Sequence, residues 1–425
     1  MLDTVWRAEG RIMPLMHYDL TTLPNGLRVI TETIPNLRSV AVGCWIDTGT
    51  RDETTDEAGA SHFLEHLLFK GSETLSARQI SESFDSMGAQ SNAFTSQEYT
   101  CFWARMLDSD LQEGLRLLGE MLQRPAFRQS EIDSERHVVI EEINMNEDDP
   151  NDVAFERFHE TVFAGHPLEK PILGSRESIL GMSREALSGY WQRRYGAGSA
   201  VIAIAGSVDH DQAVEFVSRQ FGDWSGDQMQ HEYQRASVTS RVSVVHRDTE
   251  QSHLVLGGEG MSRDDDRRYA FEILHLVLGG GMSSRLFHTI REERGLAYAV
   301  YSFKMPFADV GAWAVYAGTT PAQTPTVLGL VRDELAAMAA DGITSDELKR
   351  AQGNLRGGLA LSLEDPNSRM VRLGRQELTG GDHSSVDERI ARVNAVTEAD
   401  VQRVAEQLLG GPFVMGAVGP FEASD

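Results

Sequence analysis

Twice along this chain of 425 residues the same succession can be read: helix, helix, a strand entered through a glycine, a second strand, a helix. In the first half, Ala58 to Phe69 and Ser76 to Met87 carry apolar side chains at helical spacing, and Gly88-Ala89 leads into an aromatic and β-branched stretch, Ala93 to Met106. Leu111, Leu115, Leu118 and Leu122 then form one stripe of a further helix. In the second half, Arg267 to Leu278 and Arg285 to Glu293 read as helices, and Gly295-Leu296 leads into strands Ala297 to Phe303 and Gly311 to Tyr316. Thr324 to Ala340 follows as a helix with Thr324 as its N-cap and Pro325 at its first position. The match of Gly88 through Met106 with Gly295 through Ala317 lies in the order of elements, not in identity, and it confines the chain to two similar domains. The length suits two ordinary cores better than one giant one.

Further strands surround these blocks. Leu20 to Leu23 and Leu27 to Glu32 flank a Pro24-Asn25-Gly26 hairpin turn, and Val40 to Asp47, Val242 to His246 and His253 to Gly257 are β-rich. Helices and strands alternate without the regular crossover rhythm of a parallel doubly wound sheet, so the expected fold class is α+β, with sheet-and-helix sandwich domains in tandem. Residues 15–225 and 240–425 are the expected domains, and the polar run Gly222 to Ser240 reads as a surface linker.

The net charge of −25 disfavours nucleic acid and anionic membrane as partners and would attract basic peptides. The longest apolar stretches, such as Ala200 to Ala205, fall far short of the ~20 residues of a membrane span. Charged residues interrupt Met1 to Leu20, which lacks a signal-peptide core, and a cytoplasmic location is expected. Cys44 and Cys101 are too few for a disulfide framework and read as buried small apolar side chains.

Chemistry is named in Gly59-Ala60-Ser61-His62-Phe63-Leu64-Glu65-His66. On a helix, residues four apart share a face, so His62 and His66 can present two imidazole nitrogens to one zinc ion. Glu65, one residue from a ligand, can reach a water on the metal and act as general base. This H-x-x-E-H order is the inverse of the commoner zincin motif. A third ligand is expected on another element. Ser130 to Asn146 supplies it: Ser130 with Asp133 resembles a capping box, and Glu135 and Glu142 fall about two turns apart on one face. Glu142 is the candidate ligand, Glu135 the residue behind it that orients a ligand or a water, and Glu141 the competing choice, about 100° off that face.

These residues, with Glu142 set within Glu135-Arg136-His137-Val138-Val139-Ile140-Glu141-Glu142, resemble the pitrilysin and insulinase metallopeptidases, most closely the branch of about this chain length that includes the mitochondrial processing peptidase. The resemblance covers nearly the whole chain. It implies that Asn92-Ala93-Phe94-Thr95 is a substrate-binding edge strand, and that Arg291 and Tyr298, in Arg291-Glu292-Glu293-Arg294-Gly295-Leu296-Ala297-Tyr298, complete the active site from the C-terminal domain. Gly279 to Phe287 looks like the run preceding that pair in bacterial members. Asp152 and Glu156 stand where the processing branch receives a substrate arginine, which implies a preference for a basic residue near the cleaved bond. By the same resemblance the chain is a zinc endopeptidase with one Zn²⁺, acting on peptides or unfolded segments bound as an added strand. The resemblance also implies a clamshell formed as a homodimer, or with a related subunit. The rival readings are a non-catalytic scaffold, like the core subunits of the respiratory complex that share this fold, and a peptide-binding subunit that does not cut.

Overall fold

The computed structural model describes residues 18–421 except 234, 235 and 237; the start of the expected first domain and most of the Met1 to Leu20 segment lie outside the described residues. The first half runs β1 (Tyr18–Thr22), β2 (Arg28–Thr33), β3 (Ser39–Ile46), α1 (Ala60–Leu68), α2 (Ala77–Ser86), β4 (Gln90–Thr95), β5 (Thr100–Leu107), α3 (Leu111–Gln123), α4 (Gln129–Asp148), α5 (Pro150–Val162), α6 (Arg176–Gly181), α7 (Arg184–Arg194), β6 (Ala200–Gly206) and α8 (His210–Phe221). The second runs β7 (Arg241–His246), β8 (Ser252–Gly260), α9 (Arg268–Leu278), a π-helical segment Phe287–Glu292, β9 (Ala297–Pro306), β10 (Gly311–Thr319), α10 (Thr324–Asp341), α11 (Ser345–Ser362), α12 (Pro366–Leu378), α13 (Val386–Ala395), α14 (Glu398–Leu409) and β11 (Val414–Gly419).

Two sheets result, ordered β1-β2-β6-β3-β5-β4 and β7-β11-β8-β10-β9. They share one plan. In each, the last strand of its half inserts in parallel beside an early one (β6 on β2, β11 on β7), the other pairings are antiparallel, and a glycine at φ +60° (Gly88, Gly295) leads into the outer strand β4 or β9. The fold is α+β with tandem similar domains, as the repeated order of elements implies.

Several local expectations need correction. Ala93 to Met106 is two strands, because Ser96 to Tyr99 form a turn closed by Ser96 N–H donating to the Tyr99 carbonyl at 2.9 Å. Ser130 lies inside α4, which begins after Arg128 with no side-chain cap. Thr324 is the first helical residue and Gln323 precedes it as the cap position. The polar run after Gly222 is mostly exposed, as a surface linker would be, but its start is tied to the first domain: Trp224 is buried in the first core, Gly198 N–H donates to the Gly226 carbonyl at 3.0 Å, and Met229 N–H donates to the Ser199 hydroxyl. His231 sits between Asp47 and Asp52, and hydrogen bonds to both push its pKa up to about 10.

Each half lends a helix to the other. β3 and β6 are apolar along their whole length because both faces are covered. Val40, Val42, Cys44 and Ile46 face the first half's own helices, whereas Ala41 and Trp45 pack with Met370 and Leu373 of α12. Reciprocally, Ala154 and Phe158 of α5 pack on Val255, Ala314 and Val418 of the second sheet. Glycines allow the approach: a Cβ on Gly416 of β11 would meet the Ala154 carbonyl oxygen at 2.5 Å, and one on Gly43 of β3 would meet Met370 Sδ at 2.3 Å. At the rim, buried Arg51 binds Asp309 at 2.8 Å and also Glu98, whose other oxygen takes Arg263 at 2.6 Å, which ties the β4–β5 turn to the β9–β10 turn.

Candidate metal centre

Helix α1 starts from Gly59 in the left-handed conformation (φ +88°) and has no side-chain N-cap of its own. Its first donors are taken by a distant residue: Glu53 accepts from Gly59 N–H and Ser61 N–H, each at 2.8 Å. That carboxyl is only 3% exposed, and burial pushes its pKa up to about 7 against the opposing effect of those bonds. α1 buries Phe63, Leu64, Leu67 and Leu68, so the helical period turns His62, Glu65 and His66 to the other side, half-buried.

α4 packs against α1 through Ile132, Val139, Ile140 and Ile143. Glu142 Oε2 thereby lies 3.5 Å from Nε2 of both His62 and His66, whose rings are 4.7 Å apart. The three residues offer ligand atoms that all lie within 4.8 Å of one another. Glu135, two turns earlier on α4 and buried, holds His66 Nδ1 at 3.2 Å and Lys70 Nζ at 2.7 Å. An Nδ1–H donated to Glu135 leaves the His66 Nε2 lone pair facing Glu142. Burial, with His66 nearby, pushes the His62 pKa down to about 4, so it is neutral at pH 7; its Nδ1 is buried without a hydrogen-bond partner. Two imidazoles and one carboxylate so placed form a donor set that could hold a metal ion such as zinc. Glu141 points elsewhere, exposed and bonded to Asn144 at 3.3 Å.

Glu65 is not part of the ligand group. Burial raises its pKa, and the Thr95 hydroxyl, donating to Oε2 at 2.7 Å, opposes the rise. Thr95 ends β4, the outer strand of the first sheet, so the candidate base is joined to the strand that carries Asn92, Ala93 and Phe94. There Asn92 is exposed, Ala93 is buried, and Phe94 packs edge-on to Trp45 at 5.6 Å.

Arg291 and Tyr298 are brought together, the guanidinium 4.9 Å above the Tyr298 ring and 4.9 Å from that of Phe287. The β9–β10 register steps from Gly318↔Ala299 to Thr319↔Ala297, so Tyr298 is the extra residue of a β-bulge; this turns its side chain outward, 79% exposed. Among the described residues no hydrogen bond, ion pair or ring contact joins this pair to the metal group. Asp152 and Glu156 are half-buried on α5, beneath the second sheet, and neither forms an ion pair among the described residues. Burial foremost, then nearby carboxylates (Asp149 for Asp152, Glu160 for Glu156), raises the pKa of both.

Comparison with known proteins bears on this arrangement. Residues 28–176 match the family described as insulinase (peptidase family M16), and residues 181–355 match its companion described as the peptidase M16 inactive domain. An uncharacterized zinc protease of Streptomyces coelicolor is 42% identical over 410 residues, 95% of this chain and 89% of that protein. The chain belongs to the M16 peptidase family. Another relative, an uncharacterized zinc protease of Bacillus subtilis, is 39% identical over 94% of this M16 chain and 97% of its own length. Among solved structures, a protease from Helicobacter pylori superposes with a TM-score of 0.88 at 22% identity, covering 96% of this chain and all of that one. A peptidase M16 inactive domain from Pseudomonas fluorescens does so with a TM-score of 0.91 at 20% identity, over 96% and 99%. At those identities the likeness is one of fold.

Glu53 and Lys70, which support the candidate site, escape a sequence reading, as does the contact of Thr95 with Glu65. Lys70 stands one turn after His66, and Thr95 closes the Asn92-Ala93-Phe94-Thr95 run, so each had a local signal. Glu53 had none, because it reaches α1 only through the intervening loop.

Proposed function

We propose that the chain is a zinc-dependent endopeptidase that hydrolyses peptides or unfolded segments, with one Zn²⁺ per chain on His62, His66 and Glu142. The observation that carries the reading is the convergence of three donor atoms from α1 and α4 within 4.8 Å, with Glu65 beside them. Zinc, when bound, supplies Lewis acidity and lowers the pKa of a water. Glu65 would serve as the general base toward a water, its raised pKa making it a stronger base than an exposed carboxylate. Glu135 fixes the His66 ring, and Thr95 fixes the Glu65 carboxylate.

The substrate lies along the free edge of β4 as an added strand, its backbone bonded by β4 and its side chains placed by Asn92, Ala93 and Phe94. Tyr298, swung out by the bulge, stabilises the oxyanion, and Arg291 holds the substrate backbone. Asp152 and Glu156, which form no ion pair among the described residues, receive a basic side chain near the cleaved bond. The domains are 15–225 and 240–425, and two copies close as a clamshell homodimer around a chamber that admits extended chains. A cytoplasmic setting fits a chain in which no described helix is long and apolar enough to cross a membrane and both cysteines are free and buried.

The test is mass-spectrometric cleavage profiling of an Arg-containing peptide library, with Glu65→Gln in parallel and zinc content measured on both. Wild-type cleavage enriched at Arg or Lys, lost by about 10²–10⁴-fold in Glu65→Gln at unchanged zinc, is expected. A chain that purifies without stoichiometric zinc is a scaffold, and one that holds zinc yet cuts nothing is a peptide-binding subunit; either result sinks the proposal.

A further inference from the structure

Away from the metal centre, where α9 of the second half meets the C-terminal part of α12 and the start of α13, the structure contains a cavity of about 450 Å³. Arg268, Arg375 and Arg389 line it, with Phe271, Leu355 and Val393 as apolar wall. Such a grouping is unexpected on a chain of net charge −25, where cations are scarce and most are already paired.

The hydrogen bonds leave two of these arginines without a carboxylate partner among the described residues, although the Asp264 carboxylate also lines the wall. One carboxylate, Asp382, serves several donors: Oδ2 accepts from Arg268 at 3.0 Å, from Tyr269 at 3.4 Å and from Arg392. Its other oxygen accepts from Ser384 N–H at 2.9 Å. Arg389 is left with neutral acceptors, the Asp382 carbonyl at 2.8 Å and the Ser384 hydroxyl at 3.3 Å, and its Nη1 makes no hydrogen bond among the described residues. The Arg375 guanidinium makes none at all among them. Burial foremost lowers the Arg389 pKa; nearby Tyr269 and Asp382 oppose the shift, and the positive charges of Arg268 and Arg375 add to it. The other cations of the wall are answered: Lys304 by Glu272, and Arg263 by Glu98.

We propose that this cavity binds a polyvalent oxyanion of the phosphate class. A peptide carboxylate could satisfy one guanidinium fork, whereas a di- or triphosphate offers enough charge and acceptor oxygens for Arg375 and Arg389 together, with Arg268 behind them. The phosphate chain could be free or carried by a nucleotide, whose base would lie on the apolar wall.

The test is isothermal calorimetry on the full chain with inorganic pyrophosphate, ATP and AMP at constant ionic strength, repeated with Arg375→Ala. Arg375 is exposed and unbonded, so its loss should leave the fold intact, and an unchanged melting temperature without ligand checks that. Saturable binding of pyrophosphate with one site per chain, weakened about tenfold or more in Arg375→Ala, is expected. ATP binding much more tightly than pyrophosphate assigns the ligand to a nucleotide, and equal affinities assign it to free polyphosphate. No saturable binding overturns the proposal. So does binding that Arg375→Ala leaves unchanged, including binding that a chelator removes, since that would place the anion at the metal centre.

Discussion

Helix α1 follows β3 and packs on α4; helix α9 follows β8 and packs on α11. From the first pair, three potential ligands and a carboxylate base converge. From the second come buried Phe271 and Leu274 and one histidine, His275, whose Nδ1 is spent on the Ser302 hydroxyl at 2.7 Å and whose pKa burial pushes down to about 4. The glutamate of α11, Glu347, is bound to Arg285 at 2.7 Å. The sheet plan, the glycine-led outer strand and the lent helix are the same in both halves. What separates them is which polar side chains the α1/α4 pair turns toward each other, so the same scaffold stands in the second half without the candidate donor group that the first half carries.

The comparison can be broken at the metal first. Glu142→Gln should abolish stoichiometric zinc binding, because two imidazoles do not retain a metal that needs three protein ligands, whereas His275→Ala should leave zinc content unchanged. Plasma emission spectrometry of the purified variants checks this, and loss of zinc from His275→Ala would show that the second half does take part. Next comes the exchange of helices. Phe158→Ala, a first-half residue in the second sheet's core, should cost about 3–5 kcal/mol, and Met370→Ala, its reciprocal, about 2–5 kcal/mol. If the halves depend on each other, denaturant unfolding of either variant stays a single transition at lower midpoint; a split into two transitions would show that each half stands alone.

The smallest expected effect is a pH slope that belongs to the first half. Glu53 keeps its proton to about pH 7 in the folded chain and to its ordinary 4.5 when unfolded. The native state therefore binds more protons between those values, and stability falls as pH rises from 4.5 to 7, by about 3 kcal/mol from this group. Glu53→Gln, which keeps an acceptor for the α1 donors, should flatten that slope in urea unfolding measured across pH 4.5–7. An unchanged slope would mean that Glu53 is ionised throughout.

Much of this was legible without coordinates because its causes are local. The i, i+4 spacing of His62 and His66 and the two-turn spacing of Glu135 and Glu142 follow from the helical period, and the order of elements in the two halves survived although their residues diverged. Boundaries went astray where the cause was not local. Ala93 to Met106 reads as one strand because aromatic and β-branched residues continue through its turn, and α4 begins without the cap that Ser130 and Asp133 suggested. The run after Gly222 has a linker's composition, yet its backbone is bonded to Gly198 and Ser199.

By itself, then, the sequence determined the fold class, the repeat and which three donor residues, His62, His66 and Glu142, the fold would bring together, since periodicity and residue chemistry are properties of short segments. The tertiary structure decided the rest: that α5 and α12 cross to the opposite sheets, that a bulge turns Tyr298 outward, that Glu53 caps α1, and that arginines from three helices line one cavity. Each of these joins residues far apart along the chain, and the free energy that selects such contacts comes from burying surfaces that exist only once both elements have formed.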